Sequence, residues 1–312
     1  MPLVAAVVAG ALTACSQTET AHLGPRLEGD GTEGVEVNTV ETATAAAYPL
    51  TEEPSDDPMM ALLTIETSAR FSARDCGPFR IIAQGPPARA AMADVRIVRP
   101  ACELMRKQFF DRSPERGVRI VLFSDDATYR AGARALSGEA PDTPYGYYSH
   151  DIKAVVMNLA TGGGTLVHEL VHAFAEADFP AIPAWINEGL GSLFEQSSFA
   201  GGRIRGLPNW RLPGLQRTLI EEGEGANGML RRVVSTTTAE FYGEDSGTNY
   251  AAARYLFYDM QEKGLLETFY KEIRENHHED PTGVKTLERV LGCGLEEYEP
   301  GWRKRTLRLR YR

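Results

Sequence analysis

Two histidines and two glutamates carry the chemistry this sequence could perform. His168-Glu169-Leu170-Val171-His172 places two imidazoles four residues apart. On a helix that spacing stacks them on one face, one turn above the other. The pair can then bind one Zn²⁺, and the carboxylate beside the first histidine can serve as general base. Pro183-x-Trp185-x-x-Glu188-Gly189 follows, so a further carboxylate arrives sixteen residues after His172. His168, His172 and Glu188 make a His₂Glu set with an open fourth position, which suits catalysis better than structural zinc. The chain has only six histidines in 312 residues, so the motif is not a by-product of a histidine-rich composition. Leu166, Val167, Leu170, Val171, Ala173 and Phe174 surround the pair. Imidazoles in such a stretch are expected to be buried and to need partners. Glu176 continues the same stripe by another turn. One straight helix does not easily wrap three groups around one ion, so Glu188 is preferred as the third ligand.

The elements that must position these residues are read as follows. Short strands are expected at 61–65 and 79–83, a helix at 87–110, and a buried strand at 118–123. Ser124-Asp125-Asp126 caps a helix running to 136. After a turn at 141–144, strands are expected at 145–148 and 154–159. Gly162-Gly163-Gly164 breaks the chain, and Thr165 is the expected cap of the motif helix. Pro180 and Pro183 end that helix and begin a second at 184–196, which returns Glu188 toward the histidines. Trp185 and Phe194 are expected to pack the second helix on the first. Further helices are expected at 211–222, 250–263, 265–276 and 295–309, and His277-His278 falls in a polar, exposed loop. This is an α+β pattern. A small mixed sheet with helices is followed by a mostly helical half, with the cleft between them, in one domain over residues 59–312.

The first 58 residues read differently. Residues 1–14 form an apolar run too short to span a membrane, and they read as a secretory signal. Leu12-Thr13-Ala14-Cys15 resembles the lipobox of bacterial lipoproteins, which implies cleavage before Cys15 and a lipid on that cysteine. Ser16 in place of an aspartate favours an outer membrane where the cell has two. Residues 15–58 read as an acidic, disordered tether. Ten acids against one base give it −9 of the whole chain's −10, which leaves residues 59–312 near −1. The acidity therefore belongs to the tether. No basic patch points to nucleic acid. Three cysteines remain, and outside the cytoplasm one disulfide is plausible. Cys76–Cys102 is the first choice because it would tie an early strand to the next helix, though spacing alone does not settle the pairing.

Gly163 to Phe174 and Pro183 to Leu190 together resemble the gluzincin zinc peptidases, and within them the bacterial peptidase MA-like proteins. Weaker similarity at Tyr147-Tyr148, Tyr250-Ala251-Ala252-Ala253 and 295–302 extends it over roughly residues 60–310. The resemblance implies a zincin-like fold, one zinc per chain, His168, His172 and Glu188 as ligands, and Glu169 as the base. It also places an oxyanion-stabilising tyrosine at Tyr250, with Tyr255 and His150 as substitutes. The strand at 154–159 would form the cleft edge, to which an extended peptide could add. The amine-anchoring motif of the alanyl aminopeptidases is not present, which leans the expectation toward an endopeptidase. The resulting expectation is a lipid-anchored zinc peptidase of the cell envelope acting on peptide or protein substrates. The competing one is a lipid-anchored binding or assembly protein on the same fold, with little or no hydrolysis. Hydrolysis of a non-peptide amide is a third option.

Overall fold

The computed structural model describes residues 57–311 except 224. The expected signal at 1–14, Cys15 and nearly all of the tether therefore lie outside the described residues. The folded chain is already under way at Asp57. Its carboxylate accepts from Met59 N (3.0 Å) and caps helix α1 (Pro58–Thr67). It also pairs with Arg80 (3.1 Å) and Arg119 (3.4 Å). These contacts, with proline at the first helical turn, explain why the strand expected at 61–65 is helical.

Five strands follow: β1 (Phe71–Cys76), β2 (Phe79–Gln84), β3 (Val118–Phe123), β4 (Gly146–Ser149) and β5 (Ala154–Asn158). Their spatial order is β1-β2-β3-β5-β4. The two central pairs are parallel and the outer pairs β1–β2 and β4–β5 are antiparallel, so the sheet is mixed. Period-two alternation splits the core. Ile82, Val121, Phe123 and Val156 pack toward α1 and α4 (Asp126–Ser137). Ile81, Ile120, Leu122, Val155 and Met157 join the larger core on the opposite face. That face carries α2 (Pro87–Ala93), α3 (Arg99–Gln108) and the motif helix α5 (Gly164–Asp178). The strand expected at 154–159 as the cleft edge is β5, Ala154–Asn158, which is interior and buried throughout, while Leu159 begins a 3-10 turn. The edge on that side is β4.

After α5 the described residues form eight α-helices and a short hairpin, β6 (Ser197–Ser198) with β7 (Arg205–Gly206). The helices are α6 (Ala184–Phe194), α7 (Leu212–Glu222), α8 (Met229–Val234), α9 (Thr238–Phe241), α10 (Ser246–Glu262), α11 (Leu266–Asn276), α12 (Val284–Leu291) and α13 (Leu295–Arg308). Helix α10 lies along α6 and anchors it. Buried Arg254 on α10 donates to the carbonyls of Ser192 and Leu207, fixing the C-terminal end of α6. Trp185 packs at a tilt on Phe257 of α10 (5.4 Å) and Phe269 of α11 (5.7 Å), and Phe194 meets Phe109 at 5.7 Å. Both aromatics thus tie α6 to elements beyond α5. His277 is half-buried against Phe179, while His278 is exposed. No helix among the described residues is long and apolar enough to cross a membrane.

Cys76 and Cys102 are free thiols here, not the suggested disulfide, and Cys293 is free as well. Cys76 lies against buried Asp94, whose carboxylate also binds Arg74 and Arg99 at 2.7 Å each. Burial, with Asp94 adding to it, pushes the Cys76 thiol up to about 12. Such a thiol is a poor nucleophile.

Candidate metal centre

Helix α5 begins at Gly164, with Gly163 in place of the expected Thr165 as its cap. A side chain at 164 would collide with the carbonyl oxygen of Glu195, so glycine lets the start of α5 touch the end of α6. The chain turns over 179–183 and returns as α6, which sets the two helices side by side. Glu188 on α6 then meets both histidines of α5. Its Oε2 lies 3.1 Å from His168 Nε2 and 3.5 Å from His172 Nε2. The two imidazole rings are 4.7 Å apart, centre to centre. Glu188 is 3 % exposed, and His168 and Glu169 are 7 % each.

Each histidine is also held from behind. His168 Nδ1 is 3.1 Å from Glu195 Oε1, and His172 Nδ1 is 3.0 Å from Asn187 Oδ1. Both partners are acceptors, so both Nδ1 atoms carry the proton and the Nε2 atoms point at Glu188. A neutral ring in that tautomer presents a lone pair to a carboxylate. Either added protons or a cation must relieve the clash. Without a metal, protons do so. Burial lowers the His168 pKa, but Glu188 and Glu195 outweigh it and push it up to about 10. Burial also lowers that of His172, and Glu188 again reverses the direction. Glu188 is held well below the usual carboxylate range, its burial overcome by the two histidines.

A cation fits the same donors. Zinc bonds of about 2.0–2.1 Å in a tetrahedron put neighbouring ligand atoms about 3.3–3.4 Å apart. The two Glu188–histidine separations bracket that value. His168, Glu169 and His172 also bring ligand atoms within 4.8 Å of one another. Glu188 is the better third ligand, because one of its oxygens faces both Nε2 atoms at close range. Glu176 is not part of the set: its carboxylate meets Tyr148 and His150 instead.

Sequence reasoning missed two supporting residues. Glu195, just beyond α6, accepts from Arg211 Nη2 (3.0 Å), Arg211 Nε (3.2 Å) and Asn209 Nδ2 (3.1 Å) as well as from His168. Burial raises its pKa, but Arg211 and His168 reverse the effect and bring it down to about 2. A charged carboxylate behind a ligating imidazole fixes its tautomer and raises its basicity. Tyr242, which follows α9, donates to Glu188 Oε1 at 2.6 Å. That contact leaves Oε2 as the oxygen facing the histidines. Neither residue lies in a local motif, so only the tertiary fold reveals them. Tyr250 packs on Phe241 (5.2 Å) and Tyr242 (6.3 Å), and Arg211 lies 5.0 Å from its ring centre. Tyr255 is buried, and its hydroxyl accepts from Asn209 N (3.0 Å).

Gly191 on α6 makes a second close approach. A Cβ at Gly191 would stand 3.0 Å from His168 Nε2. Gly191→Ala is therefore expected to tilt the His168 ring and weaken metal binding by about 10-fold, within the range for disturbing a ligand's support. Competition against a chromogenic chelator would measure this. Unchanged affinity, at an unchanged melting temperature, would count against the assigned ligand face. No family model matches the chain, and no curated protein matches it.

Proposed function

We propose that this chain is a zinc-dependent endopeptidase, hydrolysing peptide bonds at the cell envelope while anchored through Cys15. One observation carries the reading: two histidines, each with its Nδ1 beside a polar oxygen, aim their Nε2 atoms at a single oxygen of Glu188, with Glu169 buried beside them. His168, His172 and Glu188 would hold the ion. Zinc there supplies Lewis acidity, polarising a carbonyl and making a water nucleophilic at neutral pH.

The remaining work falls to the protein. Glu169 accepts the proton of the attacking water and returns it to the leaving amine. Burial raises the Glu169 pKa, which moves it toward the operating pH of a general base. Negative charge develops on the carbonyl oxygen as the water adds, and a positioned hydroxyl can stabilise it. Tyr242 gives its one hydroxyl proton to Glu188 and so braces the ligand set, which leaves Tyr250, packed beside it, as the proposed donor. Glu195 and Asn187 keep the imidazoles oriented throughout. An extended substrate would add to the free edge of β4. The apolar run at 1–14 and Cys15 support export and lipid anchoring.

The test is metal content and peptide cleavage by the protein with and without His168→Ala. The expectation is about one zinc per chain, cleavage of unstructured peptides, and loss of both in the variant. Wild-type protein that takes up no zinc would sink the reading. Zinc uptake without cleavage of any peptide would instead favour a binding protein on the same fold.

A further inference from the structure

Glu176 lies one turn beyond His172 on α5, about 6 Å further along the axis and on the same face. Its carboxylate is 38 % exposed, unlike the buried acids of the metal centre. Tyr148 of the edge strand β4 donates to Oε2 at 2.6 Å, and His150 Nδ1 lies 3.1 Å from Oε1. The Tyr148 and His150 rings meet edge to face at 5.0 Å, and His150 is 49 % exposed. The carboxylate is thus oriented on the rim where β4 meets the motif helix. Each of its oxygens retains room for a second donor.

The local charges give this acid its importance. With a dication bound, Glu188 and Glu169 bring the centre to zero. Glu195 is matched by Arg211. Glu176 has beside it a phenol and an imidazole, neither of which is a permanent cation. Among the described residues, no lysine or arginine is paired with Glu176.

Resting on the peptidase reading, we infer that Glu176, oriented by Tyr148 and His150, is a specificity-determining residue that receives a lysine or arginine side chain of the substrate. A long, flexible cation on an extended peptide along β4 can reach a rim carboxylate and form a charge-assisted hydrogen bond there.

Binding, not turnover, tests this. Zinc-loaded Glu169→Gln protein would be titrated with three labelled, unstructured peptides that differ at one residue: lysine, norleucine or glutamate. Free sliding lets that residue find the site. The lysine peptide should bind about 10-fold more tightly than the norleucine peptide, a typical gain for a charge-assisted contact, and the glutamate peptide most weakly. Adding Glu176→Gln should bring lysine and norleucine within about twofold, with zinc content unchanged. Adding Tyr148→Phe instead removes the same tie between β4 and α5 but keeps the charge, so the lysine advantage should survive. An advantage that persists in Glu176→Gln, or that vanishes equally in Tyr148→Phe, overturns the inference. So does binding of all three peptides alike, which would leave the peptidase reading standing. Failure of every peptide to bind would remove both.

Discussion

Glu169→Gln is expected to keep its zinc and lose its hydrolysis. The substitution preserves shape and removes only the ability to take a proton. General-base catalysis contributes about 10²–10⁴-fold, or about 3–5 kcal/mol of barrier. Turnover should fall by that factor with KM little changed, because the residue acts on the attacking water and not on binding. Two features keep the experiment clean. Glu169 is buried beside the ligands, yet neither histidine depends on it for orientation, since Glu195 and Asn187 hold them. Moreover, its raised pKa comes first from burial, and a neutral amide suits a buried position at least as well as a carboxylate. Rates would be measured on a quenched fluorescent peptide, with zinc quantified on the same samples. A variant that cleaves within a factor of ten of wild type would remove Glu169 from the mechanism. A variant without zinc would show that it is a ligand.

The second large effect concerns Glu188 and has a pH signature. Glu188→Gln should lower zinc affinity by more than the roughly 10–100-fold that follows loss of an outer partner. In the metal-free protein the carboxylate holds a proton on His168, whose pKa is pushed up to about 10. Zinc must displace that proton. Wild-type affinity should therefore climb about tenfold per pH unit for each proton released, and flatten only near pH 10. In Glu188→Gln the imidazole loses its chief counter-charge, so the climb should end at lower pH. The linkage also acts on stability. A raised histidine pKa stabilises the metal-free fold fully below about 6.5, its ordinary value, and that contribution is lost as pH rises through about 10. Chelator-treated wild type should melt at progressively lower temperature over this interval, and Glu188→Gln should show a weaker trend. Affinity that does not vary with pH would mean that the metal does not compete at His168.

Much of this site was legible because it is local. The histidine spacing, the proline-bounded return and Glu188 fall within two adjacent helices: helical periodicity puts the histidines on one face, and the return lets Glu188 face them. The strand at 118–123 and the helix after Asp125 were legible for the same reason, each having a strong pattern and a cap. Residues 61–65 were misread because an apolar run of five fits either a strand or a short helix. The capping aspartate and its arginine partners decide between them, and those partners are distant in sequence. Edge and interior strands were also confused. Residues 154–158 precede the motif helix directly, but β3 and β4 flank them on both sides. Glu195 and Tyr242 were invisible because a lone glutamate or tyrosine has no pattern. Their roles come from Arg211, Asn209 and the turn after α9, which meet them only in the folded protein.

The close seating of α5 against α6 has a consequence for how the centre assembles. The three proposed ligands lie between 168 and 188, on one helical hairpin, so bringing them together closes only a short loop. Asn187 braces His172 from within the hairpin, but Tyr242 and the Arg211 that holds Glu195 enter from chain that follows. Ligand encounter is therefore cheap in chain entropy and can come early, while that later bracing is non-local and slow. A chain folded only as far as this hairpin already holds the whole proposed donor set. The later helices then act less as builders of the centre than as the clamp that fixes it in its working geometry.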